Sequence, residues 1–123
     1  MARVTVANEG LDIHLSLGDE ILALHGSFHI PYSHIDSVGT DQVPFEFFRG
    51  MRIGTNLPGI RTAGTFITGE GAIFYDMHDG SHCLTINLTH EHYRRVVVEV
   101  DADQDPEDLT EAIRKMIARP DRR

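Results

Sequence analysis

The sequence predicts a mostly β fold: an antiparallel β-barrel or sandwich of about seven strands, closed by one C-terminal helix. Three observations predict it. Apolar residues recur with period two through most of the chain. Short turn signals such as Asn8-Glu9-Gly10, Gly69-Glu70-Gly71 and Asp79-Gly80 separate the alternating runs. After residue 104 the period changes to that of an amphipathic helix.

Taken in order, "RVTVA" puts Val4 and Val6 on one face of a first strand, and Asn8-Glu9-Gly10 turns the chain back. "LDIHLSL" then sets Leu11, Ile13, Leu15 and Leu17 against Asp12, His14 and Ser16, the pattern of a half-buried antiparallel strand. Ile21, Leu22 and Leu24 form a short apolar run that Gly26 ends. "SFHI" stops at Pro31, which cannot donate to a ladder. A turn around Ser33 to Ile35 leads into a strand through Val38. "GTFIT" and "GAIFYD" read as a hairpin across Gly69-Glu70-Gly71, and "SHCLTINL" follows the Asp79-Gly80 turn. "RRVVVEV" ends the β part with Val96, Val98 and Val100 on one face.

The final element is a helix over 105–119. Asp105 suits its N-cap, Pro106 its first turn, and Glu107 and Asp108 the positive end of its dipole. Leu109, Ile113, Met116 and Ile117 share one stripe, which must be buried.

With 123 residues, the chain reads as a single domain over 1–123 with a core of its own. A formal net charge of −8 opposes duplex nucleic acid and anionic membrane surfaces, which need clustered bases to displace counterions. The start has no apolar stretch of signal-peptide kind, so a cytoplasmic location is expected. Cys83 reads as a small strand residue, with His82 on the opposite face.

The segment "GMRIGTNLPGIRTAGTF", residues 50–66, reads as a long glycine-spaced loop. Arg49, Arg52 and Arg61 fall within thirteen positions that hold no acid, beside Phe45, Phe47 and Phe48. Phe47, Phe48, Arg49, Arg52, Asn56 and Arg61 are the candidate binding residues, suited to an acidic protein partner. The competing reading makes the glycines structural, needed for positive φ and bulges, with the arginines solvated.

The stretches "GDEILAL…IPYSHIDSV", "GMRIGTNLPGIRTAGTF" and "LTINLTHEHYRRVVVEVDADQDPEDLTEAI" together resemble a family of bacterial pleckstrin-homology-like proteins over residues 11 to 117. The resemblance implies a PH-like β-barrel with a capping helix. Its lipid-binding relatives carry bases in the first hairpin, where this chain has acidic "NEG", so lipid head-group binding is not expected.

The function expected is a non-catalytic binding or assembly module that takes a protein partner through the glycine-rich segment. No cofactor, catalytic residue or native metal is expected. A homo-oligomer is expected from open sheet edges in a chain whose one lysine, Lys115, lies on the helix. Two alternatives remain: a carrier of a small anionic ligand at the barrel mouth, and a metal-assisted hydrolase using His78 and His82. Ser33, His34 and Asp36 also lie close in sequence, without a nucleophile elbow.

Overall fold

The computed structural model describes residues 2–15, 27–40, 51–57, 61–69, 71–77 and 82–118; for 51–57, 61–63 and 68 it describes the backbone alone. The candidate residues Phe47, Phe48 and Arg49, the expected apolar run at 21–24, and His78 and Asp79 lie outside the described residues.

The first sheet contains β1 (Ala2–Val6), β2 (Gly10–Leu15) and β3 (Phe28–Pro31), antiparallel in that order. The register Val4↔Ile13 and Val6↔Leu11 puts the apolar sets of β1 and β2 on the same face, as their alternation requires. The turn is tied by Ala7 N donating to Gly10 O at 3.1 Å, and the buried Tyr32 hydroxyl donates to Ala7 O. Gly10 admits no side chain, since a Cβ there would lie 2.8 Å from Ile30 O.

A 3-10 turn, Tyr32–His34, passes into β4 (Ile35–Gly39). The second sheet adds β5 (Met51–Leu57), β6 (Arg61–Thr68), β7 (Gly71–Met77), β8 (Cys83–Leu88) and β9 (Arg95–Glu99), in the order β4-β8-β9-β7-β6-β5. The helix α1 spans Pro106–Ala118. Asp105 caps it as expected: its Oδ1 accepts from Glu107 N at 3.1 Å, and its backbone O from Leu109 N at 3.0 Å.

Four expectations are corrected. The described residues form nine strands rather than seven. The strands are not all antiparallel, because β9 inserts between β7 and β8 and runs parallel to β7. Much of the expected glycine loop is paired strand: β5 and β6 match from Met51↔Ile67 to Leu57↔Arg61, with Gly54 opposite Gly64. Gly64 (φ 130°) and Gly71 (φ 125°) adopt backbone conformations that suit glycine, in line with the structural reading of these residues. Finally, among the described residues the sheets do not close into a barrel.

Two of the four sheet edges are occupied by side chains. At the outer edge of β1, the Gln104 side-chain amide imitates a strand: Val4 N donates to Gln104 Oε1 at 2.9 Å, and Gln104 Nε2 donates to Val4 O at 2.7 Å. Ala2 bridges Val100, and Asp101 N donates to Ala2 O at 2.9 Å. Arg3 donates to both Asp103 carboxylate oxygens, at 2.8 and 2.9 Å. That hydrogen bond first, and the Asp103 charge with it, raise the Arg3 guanidinium above its ordinary range. The pair is exposed and adds little stability. At the outer edge of β4, Arg114 Nη2 donates to Val38 O at 2.9 Å. Such contacts leave fewer free backbone groups for another strand to pair with.

Gln104→Leu should therefore lower the unfolding free energy by roughly 1 to 2 kcal/mol, because it strands a partly buried donor and acceptor on Val4. Chemical denaturation measures the loss. Sedimentation should also show mass rising with concentration as the β1 edge opens. An unchanged midpoint and a constant mass would mean that Gln104 does not guard the edge.

One core lies between the sheets. Val4, Leu11, Ile13 and Ile30 from the first meet Phe74, Leu84, Ile86, Val96 and Val98 from the second, a sandwich-like arrangement. Ile113 enters this core from α1, while Leu109, Met116 and Ile117 pack against it, so the predicted stripe is the face that docks. A second apolar cluster, Phe66, Ile73, Tyr75, Cys83 and Val97, is buried on the other face of the six-stranded sheet. That double burial explains the unbroken "VVV" of β9, a central strand with one parallel neighbour. No described helix is long and apolar enough to cross a membrane.

Candidate functional site

Where α1 passes the end of β4, a groove of about 630 Å³ opens. One wall is β4 and the residue after it, Ser37 to Thr40, with Thr85 and Asn87 of β8 beneath. The other wall is the first half of α1, from which Glu107, Asp108, Thr110 and Glu111 face the space. Arg114 closes one end, where its bond to Val38 O crosses from helix to strand. A smaller recess of about 240 Å³ continues past it, between Asp36 and Ile117.

The sequence builds this groove for local reasons. Asp105 starts the helix, so the acids that favour its positive end fall at 107 and 108, with Glu111 a turn further on, and the stripe at 109, 113 and 116 that packs on the core fixes which face they occupy. The register of β4 with β8 shifts between Ile35 and Ser37, and the extra residue leaves consecutive Asp36 and Ser37 both exposed. Asn87 is held rigidly: its Nδ2 donates to Ser37 Oγ at 2.9 Å and its Oδ1 accepts from Arg95 Nε at 2.7 Å. Thr110 is buried, and among the described residues its hydroxyl has no hydrogen-bond partner.

The electrostatics are one-sided. Three carboxylates line the groove, and its arginine is already engaged by a backbone carbonyl. Lys115 approaches Glu111 at 3.7 Å, an exposed pair worth little. The site therefore offers acceptors to cations, with hydroxyl and amide groups beside them.

Of the predicted site residues, the backbone of Arg52, Asn56 and Arg61 is described. Arg52 and Asn56 lie on β5 and Arg61 begins β6. Arg52 pairs with Phe66 and Arg61 with Leu57, so 52 and 61 stand five residues apart along the hairpin, about 17 Å at strand spacing. Parity puts 52 and 56 on one face and 61 on the other. His82 bonds toward Asp101 O at 3.2 Å. His34 pairs with Glu91 rather than with Ser33 or Asp36, its Nδ1 lying 2.6 Å from Glu91 Oε2. Cys83 is a strand residue, as the sequence implies, and is buried, with its Sγ 3.8 Å from Met77 Sδ.

Sequence reasoning missed the groove because its walls are some 70 residues apart. The signal available in the sequence is the run of acids on the polar face of α1, of which Glu107 and Asp108 also complement the helix dipole. No protein-family model, curated protein or solved structure matches this chain.

Proposed function

We propose that this chain is a non-catalytic binding module, and that its groove between α1 and β4 accepts an extended, basic segment of a partner protein. The observation that carries the reading is the groove itself, about 630 Å³ walled by Glu107, Asp108 and Glu111. A lysine or arginine side chain entering it meets carboxylates on one side and hydroxyl and amide acceptors on the other. The net charge of −8 would steer a basic partner toward the chain.

The acidic partner expected from Arg49, Arg52 and Arg61 has less support, since the β5–β6 register separates 52 from 61. An anionic small ligand is likewise disfavoured in this groove by its charge. The pleckstrin-homology-like reading draws support from two sheets with a C-terminal helix, while the parallel β7–β9 pair departs from the all-antiparallel arrangement it implies. Self-association belongs to the same proposal: β3 and β5 end their sheets, and the described residues place no cap on them comparable to Gln104 or Arg114.

The test is selection of a random display library of peptides about ten residues long on the full chain. Enriched sequences should be basic, and their affinity should fall with salt. The double variant Asp108→Asn, Glu111→Gln should weaken them at least tenfold, while its melting midpoint stays nearly unchanged, because exposed charges contribute little to folding. Enrichment of acidic sequences, or affinity indifferent to the double variant, would overturn the proposal.

A further inference from the structure

Away from the groove, the 3-10 turn Tyr32–His34 and the loop joining β8 to β9 meet through Thr89 N donating to His34 O at 2.9 Å. This contact brings two imidazoles together. His34 and His90 have ring centroids 5.9 Å apart and planes inclined by 39°. His90 reaches this place from a left-handed backbone, φ 61°, the one non-glycine residue with positive φ among those described. Histidine tolerates that conformation better than most residues with a Cβ, but it is still sparsely populated.

Each ring is engaged at the same nitrogen. The His34 Nδ1 lies 2.6 Å from Glu91 Oε2. An ionised carboxylate only accepts, so the hydrogen is on Nδ1, and in the neutral ring the lone pair is on Nε2. The His90 Nδ1 lies 3.3 Å from Thr89 Oγ1. Among the described residues, neither Nε2 makes a hydrogen bond, and when His90 Nδ1 donates to Thr89 its lone pair too is on Nε2.

The separation then acquires meaning. A borderline divalent metal sits about 2.0 to 2.1 Å from a histidine nitrogen, so two rings sharing one ion through Nε2 have centroids roughly 5 to 6 Å apart. The pair already stands at that spacing. His92 is turned elsewhere, edge-on to Tyr93 at 4.9 Å. Among the described residues no group of three or more His, Cys, Asp or Glu side chains is placed to hold a metal. Among the described residues, an ion here would find two protein ligands, leaving positions open to water.

We infer that His34 and His90 form a two-imidazole site for an exchangeable borderline divalent ion such as zinc or nickel. Glu91 acts as the carboxylate that orients His34 and selects its tautomer. Imidazole nitrogen excludes magnesium and calcium, which take oxygen ligands. The open coordination positions would accept a donor from outside the chain.

Titration calorimetry on the full chain, with zinc and with magnesium, tests this. Zinc should bind in a one-to-one event that magnesium does not reproduce. In long-range nitrogen–proton spectra of the imidazoles, zinc should move two of the eight histidines first. His90→Asn removes a ligand but keeps a residue suited to positive φ, and should weaken zinc at least tenfold. Glu91→Gln removes no ligand and should weaken it by about tenfold to a hundredfold. If His34→Gln fails to fold, these two variants carry the test alone. Zinc affinity unchanged in His90→Asn, or shifts spread over the other exposed histidines, would overturn the inference.

Discussion

Phe74→Ala should lower the unfolding free energy by about 3 to 5 kcal/mol, the range for deleting a buried aromatic side chain. Phe74 is fully buried on β7. Its ring meets Phe28 edge-on at 5.0 Å and Tyr93 at 5.7 Å. Phe28 belongs to the first sheet and Tyr93 to the β8–β9 loop, so this one ring pins both to the second sheet. Phe28 and Tyr93 also meet each other at 5.7 Å, and Thr65 Oγ1 lies 2.7 Å from the Tyr93 hydroxyl. The site is poorly able to collapse after truncation, since β7 is held on one side by Thr65↔Phe74 and on the other by Phe74↔Val96. Guanidinium denaturation checks the loss. Phe74→Leu, which keeps most of the volume, should cost much less. Equal midpoints for Phe74→Ala and the parent chain would show that the sheets are not pinned there.

Which elements could be read in advance follows from how each is buried. β1 and β2 bury one face and expose the other, so alternation announces them, and the register then only had to match the apolar sets of Val4 and Ile13. The helix carried its own start signal in Asp105-Pro106 and its own apolar stripe. β5 and β6 are the opposite case. With Gly54 set against Gly64, and glycine and proline spacing the apolar residues, no period survives to separate strand from loop.

β7 and β9 were recognised as strands, but not for what they do. Tyr75 and Val97 are buried in one cluster while Phe74, Val96 and Val98 are buried in the other, so both faces are apolar and alternation cannot tell which faces what. Nor does any local signal record that β9 lies beside β7, since parallel pairing between non-adjacent strands leaves no turn to read. The same limit hid both candidate sites. The groove joins residues 37–40 to 107–114, and His34 meets Glu91 across 57 positions. Each half was visible in the sequence as an ordinary polar stretch, and the folded chain supplies the pairing.

Ile113→Asp should largely unfold the chain. Ile113 is fully buried and is the residue by which α1 enters the core shared by the two sheets. A carboxylate there would be surrounded by apolar groups. Burying it ionised without a partner costs several kcal/mol, and protonating it instead still leaves polar oxygens unsatisfied. That loss is a large share of the 5 to 15 kcal/mol that folded domains possess. Two comparison variants separate burial from helix propensity. Ile113→Val removes one methylene and should cost about 0.5 to 1.5 kcal/mol. Lys115→Asp places the same side chain on the same helix at a position whose side chain is 76% exposed, and should cost no more than about 1 kcal/mol. Thermal melts followed by circular dichroism rank the three. A cooperative Ile113→Asp melt at the parent midpoint would mean that α1 does not close the sandwich. The groove would then have no fixed second wall, and the binding proposal would fall with the helix.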